Sequence, residues 1–105
     1  MSYPTTTILR NNTHYPARLA RITDPPSQLF VRGELGNCDH ALAVVGTRQM
    51  TPYGRFVTDA IVTPLARMGI VIVSGLAFGV DAAAHTACIR AGGRTLAVLA
   101  GGVDD

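Results

Sequence analysis

Apolar and polar positions follow two different patterns along this chain, and the change falls near residue 40. From Ala41 the apolar residues come in short unbroken runs, each closed by glycine: Ala41-Leu42-Ala43-Val44-Val45-Gly46, Ile70-Val71-Ile72-Val73-Ser74-Gly75, and Thr95-Leu96-Ala97-Val98-Leu99 ahead of Gly101-Gly102. Runs without alternation predict strands covered on both faces, as in parallel sheets. Between them, Pro52 to Met68 has helical spacing at Phe56, Ala60, Ile61, Leu65 and Met68, with Gly69 as the stop. Gly79 to Arg90 is Ala-rich and helical, stopped by Gly92-Gly93. Before residue 40 the chain is turn-rich, with Tyr15-Pro16, Asp24-Pro25-Pro26, Gly33, Gly36 and Asn37. There, Leu29-Phe30-Val31 predicts one short strand reached by an extended, Pro-rich arm, and Leu19 and Ile22 allow one turn of helix over 17–22.

The order β-α-β-α-β with short links predicts an α/β fold, a Rossmann-like open and mostly parallel sheet with right-handed crossovers plus an N-terminal strand. The expected organisation is an arm with a short strand over residues 1–40 and a partial Rossmann-like domain over 41–105. Doubly wound sheets usually have more strands than are visible here, and Val103-Asp104-Asp105 stand where a further helix is due, so the expectation is a chain truncated at its C-terminus. Pro64, late in the first long helix, breaks a local rule and is expected to kink or shorten it.

Composition narrows the function classes. Of 105 residues, 48% are hydrophobic and only 15% charged, which excludes a disordered polyelectrolyte. A net charge of +2 is too small for a general positive coat, so any anion site must be local and shaped. All 9 basic residues are Arg, the side chain suited to bidentate phosphate contacts, although codon bias gives the same pattern. Cys38 and Cys88 are far apart and form no CxxC, the first residues have no apolar signal segment, and no apolar run approaches the ~20 residues that span a bilayer. These features predict a cytoplasmic location with no membrane partner.

In an open parallel sheet, ligands bind outside the carboxyl ends of the strands. Three segments reach that edge: Gly46-Thr47-Arg48, Ser74 to Gly79, and Gly101-Gly102. Glycine turns leading into helix N-termini suit phosphate, because free N–H groups and the helix dipole face the anion. Turns that merely need glycine would look the same, and the GxGxxG dinucleotide fingerprint is absent. Arg48 is the cation inside this edge, and Arg55 follows one turn into the helix.

The wording of these segments is more specific. Gly46-Thr47-Arg48-Gln49-Met50-Thr51-Pro52-Tyr53-Gly54 resembles the G-[ST]-R-x-x-T-x-Y-G signature of the DNA-processing protein A family (DprA, or Smf). Ser74-Gly75-Leu76-Ala77-Phe78-Gly79-Val80-Asp81-Ala82-Ala83-Ala84-His85 is similar to its S-G-x-A-x-G-[IV]-D-x-x-A-H. The run from Ala91 to Gly102 is similar to its A-G-G-x-T-[IL]-A-V-L segment. Tyr15-Pro16, Asp24-Pro25-Pro26 and Leu29 to Gly33 resemble its YP…DPP…LFxRG leader. The resemblance implies a single-stranded-DNA-binding protein that acts in natural transformation and loads a RecA-type recombinase. It further implies a homodimer in the full-length protein, with no cofactor, no metal and no catalytic residue. It places Gly46, Thr47 and Arg48 on a phosphate-binding turn and Ser74, Gly75 and Gly79 on the neighbouring loop; Tyr53, Arg55, Gly101 and Gly102 are secondary candidates from their positions near the sheet edge and not from the resemblance. The alternative is a LOG-type nucleoside-monophosphate hydrolase of the same layout.

Each candidate also has a structural reading. Thr51 before Pro52 reads as an N-cap. Ser74 reads equally as cap or ligand. Tyr53 reads as packed under the turn, with base stacking as the alternative. Asp81 and His85 lie one turn apart, but no nucleophile is identifiable beside them, so the expectation is a structural acid and a packed, hydrogen-bonded histidine. Cys38, Asp39 and His40 lack a second ligand pair and make a poor zinc site.

Overall fold

The structure, a computed structural model, describes residues 4–99, and these divide into two compact units, one ending at Cys38 and the other spanning Asp39–Leu99. The first unit pairs β1 (Thr5–Leu9) antiparallel with β2 (Gln28–Arg32), Thr7 opposite Phe30, with a single helical turn α1 (Ala17–Ala20) between them. The arm expected to carry one short strand thus holds two, β1 being the addition. Thr5-Thr6-Thr7 has β-branched side chains that favour strand, but its polarity hides the pattern; only Ile8 of β1 is buried. The Tyr15-Pro16 and Asp24-Pro25-Pro26 words meet in space: buried Tyr15 donates its hydroxyl hydrogen to the Pro26 carbonyl at 2.8 Å. Arg10 Nη1 donates to the Pro25 carbonyl at 3.2 Å.

The second unit is the β-α-β-α-β core. Strands β3 (Ala41–Ala43), β4 (Val71–Ser74) and β5 (Thr95–Ala97) are parallel in the order β3-β4-β5, with Leu42 opposite Ile72 and Val73 opposite Leu96. Helices α2 (Pro52–Arg67) and α3 (Val80–Arg90) are the crossovers, and they pack on each other as well as on β4. Two crossovers in the same direction place both helices on one face of the sheet. Hence only the central strand is deeply buried; β3 and β5 are partly exposed, against the expectation of full cover on both faces for all three runs.

The core is one cluster of Val62, Ala66, Ile72, Ala84, Ala87 and Cys88. Small residues dominate it because α2 and α3 approach each other closely. This reverses the expected orientation of α2. Its buried positions are Thr58, Val62 and Ala66, while Phe56 (70% exposed), Ile61 and Met68 (76% exposed) lie outside. The i, i+4 row of slimmer side chains fits against the alanines of α3, and bulkier residues do not. Thr58 is tolerated there because its hydroxyl donates to the Gly54 carbonyl at 2.8 Å. Helix α2 is not shortened at Pro64; it runs three residues further to Arg67, and the Pro64 carbonyl accepts from the Met68 N–H at 3.1 Å.

Candidate functional site

Two turns meet at the carboxyl ends of β3 and β4. Beyond β3, Gly46, Thr47, Arg48 and Gln49 are all exposed. The Gln49 N–H donates to Thr47 Oγ1 at 3.1 Å, closing a side-chain turn. That bond uses the Thr47 oxygen as acceptor and leaves its hydroxyl hydrogen available to a ligand. Thr51 is the N-cap of α2, its Oγ1 accepting from the Gly54 N–H at 3.0 Å, with Pro52 in the first helical position.

The turn beyond β4 is held against the first. The Val80 N–H donates to the Thr47 carbonyl at 3.1 Å. Gly79, at φ +81 and ψ −128, has a backbone that L side chains rarely adopt. A Cβ built on it would fall on the Thr47 carbonyl oxygen and within 2.9 Å of Arg48 Cα. Gly46 makes the reciprocal approach, since a Cβ there would lie 2.8 Å from Val80 Cγ2. Gly46, Thr47, Arg48 and Gly79 are therefore brought together, and glycine is required where two backbones touch. One expectation is corrected: the first N–H of α3 is consumed by Thr47 and is not offered to an anion.

Ser74 requires a second correction. It is 3% exposed and its hydroxyl donates to the Val44 carbonyl at 2.6 Å, so its hydrogen stitches β4 to the end of β3 and is not free for a ligand. Tyr53 is corrected in the other direction: at 75% exposure it is not packed under the turn. Arg55 is exposed and lines a groove of about 320 Å³ between α2 and α3, shared with Phe56, Asp59, Thr86 and Arg90. Gly101 and Gly102 lie outside the described residues.

Asp81 is buried beneath Gly75, where a Cβ built on the glycine would lie 2.7 Å from Asp81 Oδ2. His85, half-buried, lies 2.6 Å from the Gly75 carbonyl and 2.6 Å from Thr95 Oγ1. Sequence reasoning had the helical spacing of this pair, but not their shared partner Gly75, because the contact depends on how α3 is placed over β4. Val80 was missed altogether. The signal available was a β-branched residue directly after a glycine that must adopt positive φ. Burial raises the Cys88 thiol above its ordinary value of 9.0, and Cys88 and Cys38 are both free. Among the described residues, no three His, Cys, Asp or Glu side chains gather where they could hold a metal ion, and no helix is long and apolar enough to cross a membrane.

Comparison with known proteins gives a consistent result. The sequence model of the family described as DNA recombination-mediator protein A matches residues 6–105. The chain is 43% identical over 98 residues to the DNA processing protein DprA of Bacillus subtilis, covering 91% of this chain and 33% of the relative. It is 42% identical over 95 residues to the protein Smf of Escherichia coli, covering 86% and 24%. Among solved structures, DNA processing protein A from Streptococcus pneumoniae superposes with a TM-score of 0.84 at 37% identity, over 98% of this chain and 36% of the other. DNA processing protein A from Helicobacter pylori, solved in a study of its single-stranded DNA binding mode, gives a TM-score of 0.77 at 30% identity, over 94% and 45%. The chain spans a quarter to a third of the length of these two curated relatives.

Proposed function

This chain belongs to the DNA recombination-mediator protein A family, the DprA/Smf DNA-processing proteins, and from that premise we propose that it binds single-stranded DNA through backbone phosphates at the Thr47–Arg48 turn. The observation that carries the reading is the exposed turn itself: a guanidinium and a spare hydroxyl hydrogen on a backbone held by the Val80–Thr47 bond. Gly46, Gly75 and Gly79 shape the edge so that a phosphate chain can approach the backbone closely. Contacts to phosphate carry no base information, so sequence preference is low. Tyr53, exposed one turn away, offers a face on which a base can stack. Ser74 takes no part in this proposal. The likeness to the Helicobacter pylori protein supports the choice of ligand.

For the protein as a whole, the proposal is a cytoplasmic mediator of natural transformation that loads a RecA-type recombinase and acts as a homodimer, binding DNA and not turning over nucleotide. The test is fluorescence anisotropy of labelled oligo-dT over a salt series, with Arg48→Ala beside the unmodified chain. Losing one phosphate contact on a single strand should lower the slope of log K against log salt by about 0.7. An Arg48→Ala protein that is folded and keeps the full slope removes Arg48 from the site.

A further inference from the structure

The groove of about 320 Å³ between α2 and α3 follows from side-chain size. Ala83 and Ala87, one turn apart on α3, line it with methyl groups, so the helices leave a channel that larger residues would fill. Its α2 wall carries Arg55, Phe56 and Asp59, and Arg90, the last residue of α3, lines it from the other side. All four are exposed. Phe56, at 70% exposure, is no part of the core cluster, so packing does not account for an aromatic ring there. Among the described residues, neither Arg55 nor Arg90 is held in an ion pair, and Asp59 stands one turn from Arg55 without bonding to it.

We propose that this groove is a second subsite for single-stranded DNA. It takes the stretch of strand next to the one gripped by the Thr47–Arg48 turn, with Arg55 and Arg90 on phosphates and Phe56 stacked on a base. The inference rests on the single-strand reading above and extends it from one contact to a path. Both crossovers run in the same direction, so α2 and α3 start at the carboxyl edge of the sheet and lie parallel. The stretches that line the groove, 52–59 on α2 and 83–90 on α3, are equal lengths of helix, about 10 Å each. Arg55 therefore lies about one turn in from the edge that holds Arg48, Arg90 lies at the far end, and Phe56 falls between their levels. That length matches about three stacked nucleotides at about 3.4 Å each.

The chemistry of the lining favours a nucleic acid over a protein. An aromatic face among cations holds single strands without reading bases. Two guanidiniums against one carboxylate leave a net positive charge, which suits a phosphate chain. A partner helix would need a hydrophobic groove for its apolar face, and here Phe56 is the one large apolar side chain in the lining. Asp59 is the group that opposes the strand, and it gives the proposal a test of sign.

The chain contains no tryptophan, so Phe56→Trp puts a single indole in the groove, at an exposed position where the exchange disturbs no packing. Its emission should be quenched as oligo-dT saturates the protein, because a base stacks on it. Anisotropy of labelled oligo-dT over a salt series is measured in parallel on the unmodified chain, Arg48→Ala, the double variant Arg55→Gln/Arg90→Gln, and Asp59→Asn, each shown to be folded by circular dichroism. The double variant should lower the slope of log K against log salt by about 1.4, two phosphate contacts at about 0.7 each. Asp59→Asn removes the opposing charge and should bind about twofold tighter, the size of an exposed charge interaction. Indole emission that ignores the oligonucleotide while anisotropy saturates overturns the groove and leaves the Thr47–Arg48 reading standing. So does a folded double variant that keeps the full slope, or an Asp59→Asn protein that binds more weakly. A full slope in Arg48→Ala with a reduced one in the double variant removes the turn and keeps the groove as the site. No binding by any form overturns both readings. Emission that responds to an added RecA-type recombinase and not to the oligonucleotide makes the groove a protein-docking face, and the proposal falls.

Discussion

Gly79 is where the structure makes its sharpest quantitative demand. Gly79→Ala meets two costs. Its backbone, at φ +81 and ψ −128, is essentially a glycine-only conformation, which costs another residue about 1–3 kcal/mol. The new methyl would also overlap the Thr47 carbonyl and the Arg48 backbone, which cannot rotate aside as a side chain can. Forced overpacking adds about 1–3 kcal/mol. Restricting the unfolded chain returns about 0.4–1 kcal/mol, so the net loss should be about 2–5 kcal/mol. Gly69 supplies the control within the same unit: it has φ +89, but a Cβ there meets nothing within 4 Å. Gly69→Ala carries the backbone cost alone, and about 1 kcal/mol is expected. Urea unfolding followed by circular dichroism, with equal slopes for the compared proteins, gives both numbers. Oligonucleotide affinity should fall for Gly79→Ala and hold for Gly69→Ala, since only the former displaces Arg48. Equal stability losses for the two variants would refute the claim that the two turns are in backbone contact.

Two further outcomes follow from the buried polar groups. Ser74→Ala leaves the Val44 carbonyl without its 2.6 Å partner, so it should cost about 1–3 kcal/mol in urea unfolding while leaving oligo-dT affinity of the folded protein unchanged; a specific loss of binding would restore Ser74 as a ligand. Cys88 is raised by desolvation above 9.0, so the folded chain holds a proton that the unfolded chain releases. Stability therefore falls as pH rises above about 9, and a Cys88→Ala protein should lose that part of the alkaline decline in denaturation curves.

The legible part of the fold was the part written in strong local signals. The three apolar runs and the glycines closing them located β3, β4, β5 and both crossover helices to within a residue or two, because strand burial and helix termination are local events. Which face of α2 turns inward was not local. Phe56, Ile61 and Met68 have the greater hydrophobicity, yet Thr58, Val62 and Ala66 are buried, because close packing on Ala84 and Ala87 selects for size over apolarity. Strand β1 was hidden by its threonines, whose pairing with β2 is decided twenty residues away. In the candidate site, Gly46, Thr47, Arg48 and Gly79 were legible from residue type and position. The role of Ser74 was not, since a serine at a strand end reads alike as cap or ligand until the position of the Val44 carbonyl is known.

The bond from Val80 to Thr47 has a thermodynamic consequence for ligand capture. A phosphate chain arriving at a free loop must immobilise that loop, and the lost conformational freedom subtracts from affinity. Here the turn is restrained by its neighbour during folding, so that loss has already been incurred when the ligand arrives. Association at this edge should accordingly show a favourable entropy dominated by released counterions, with little opposing contribution from backbone ordering.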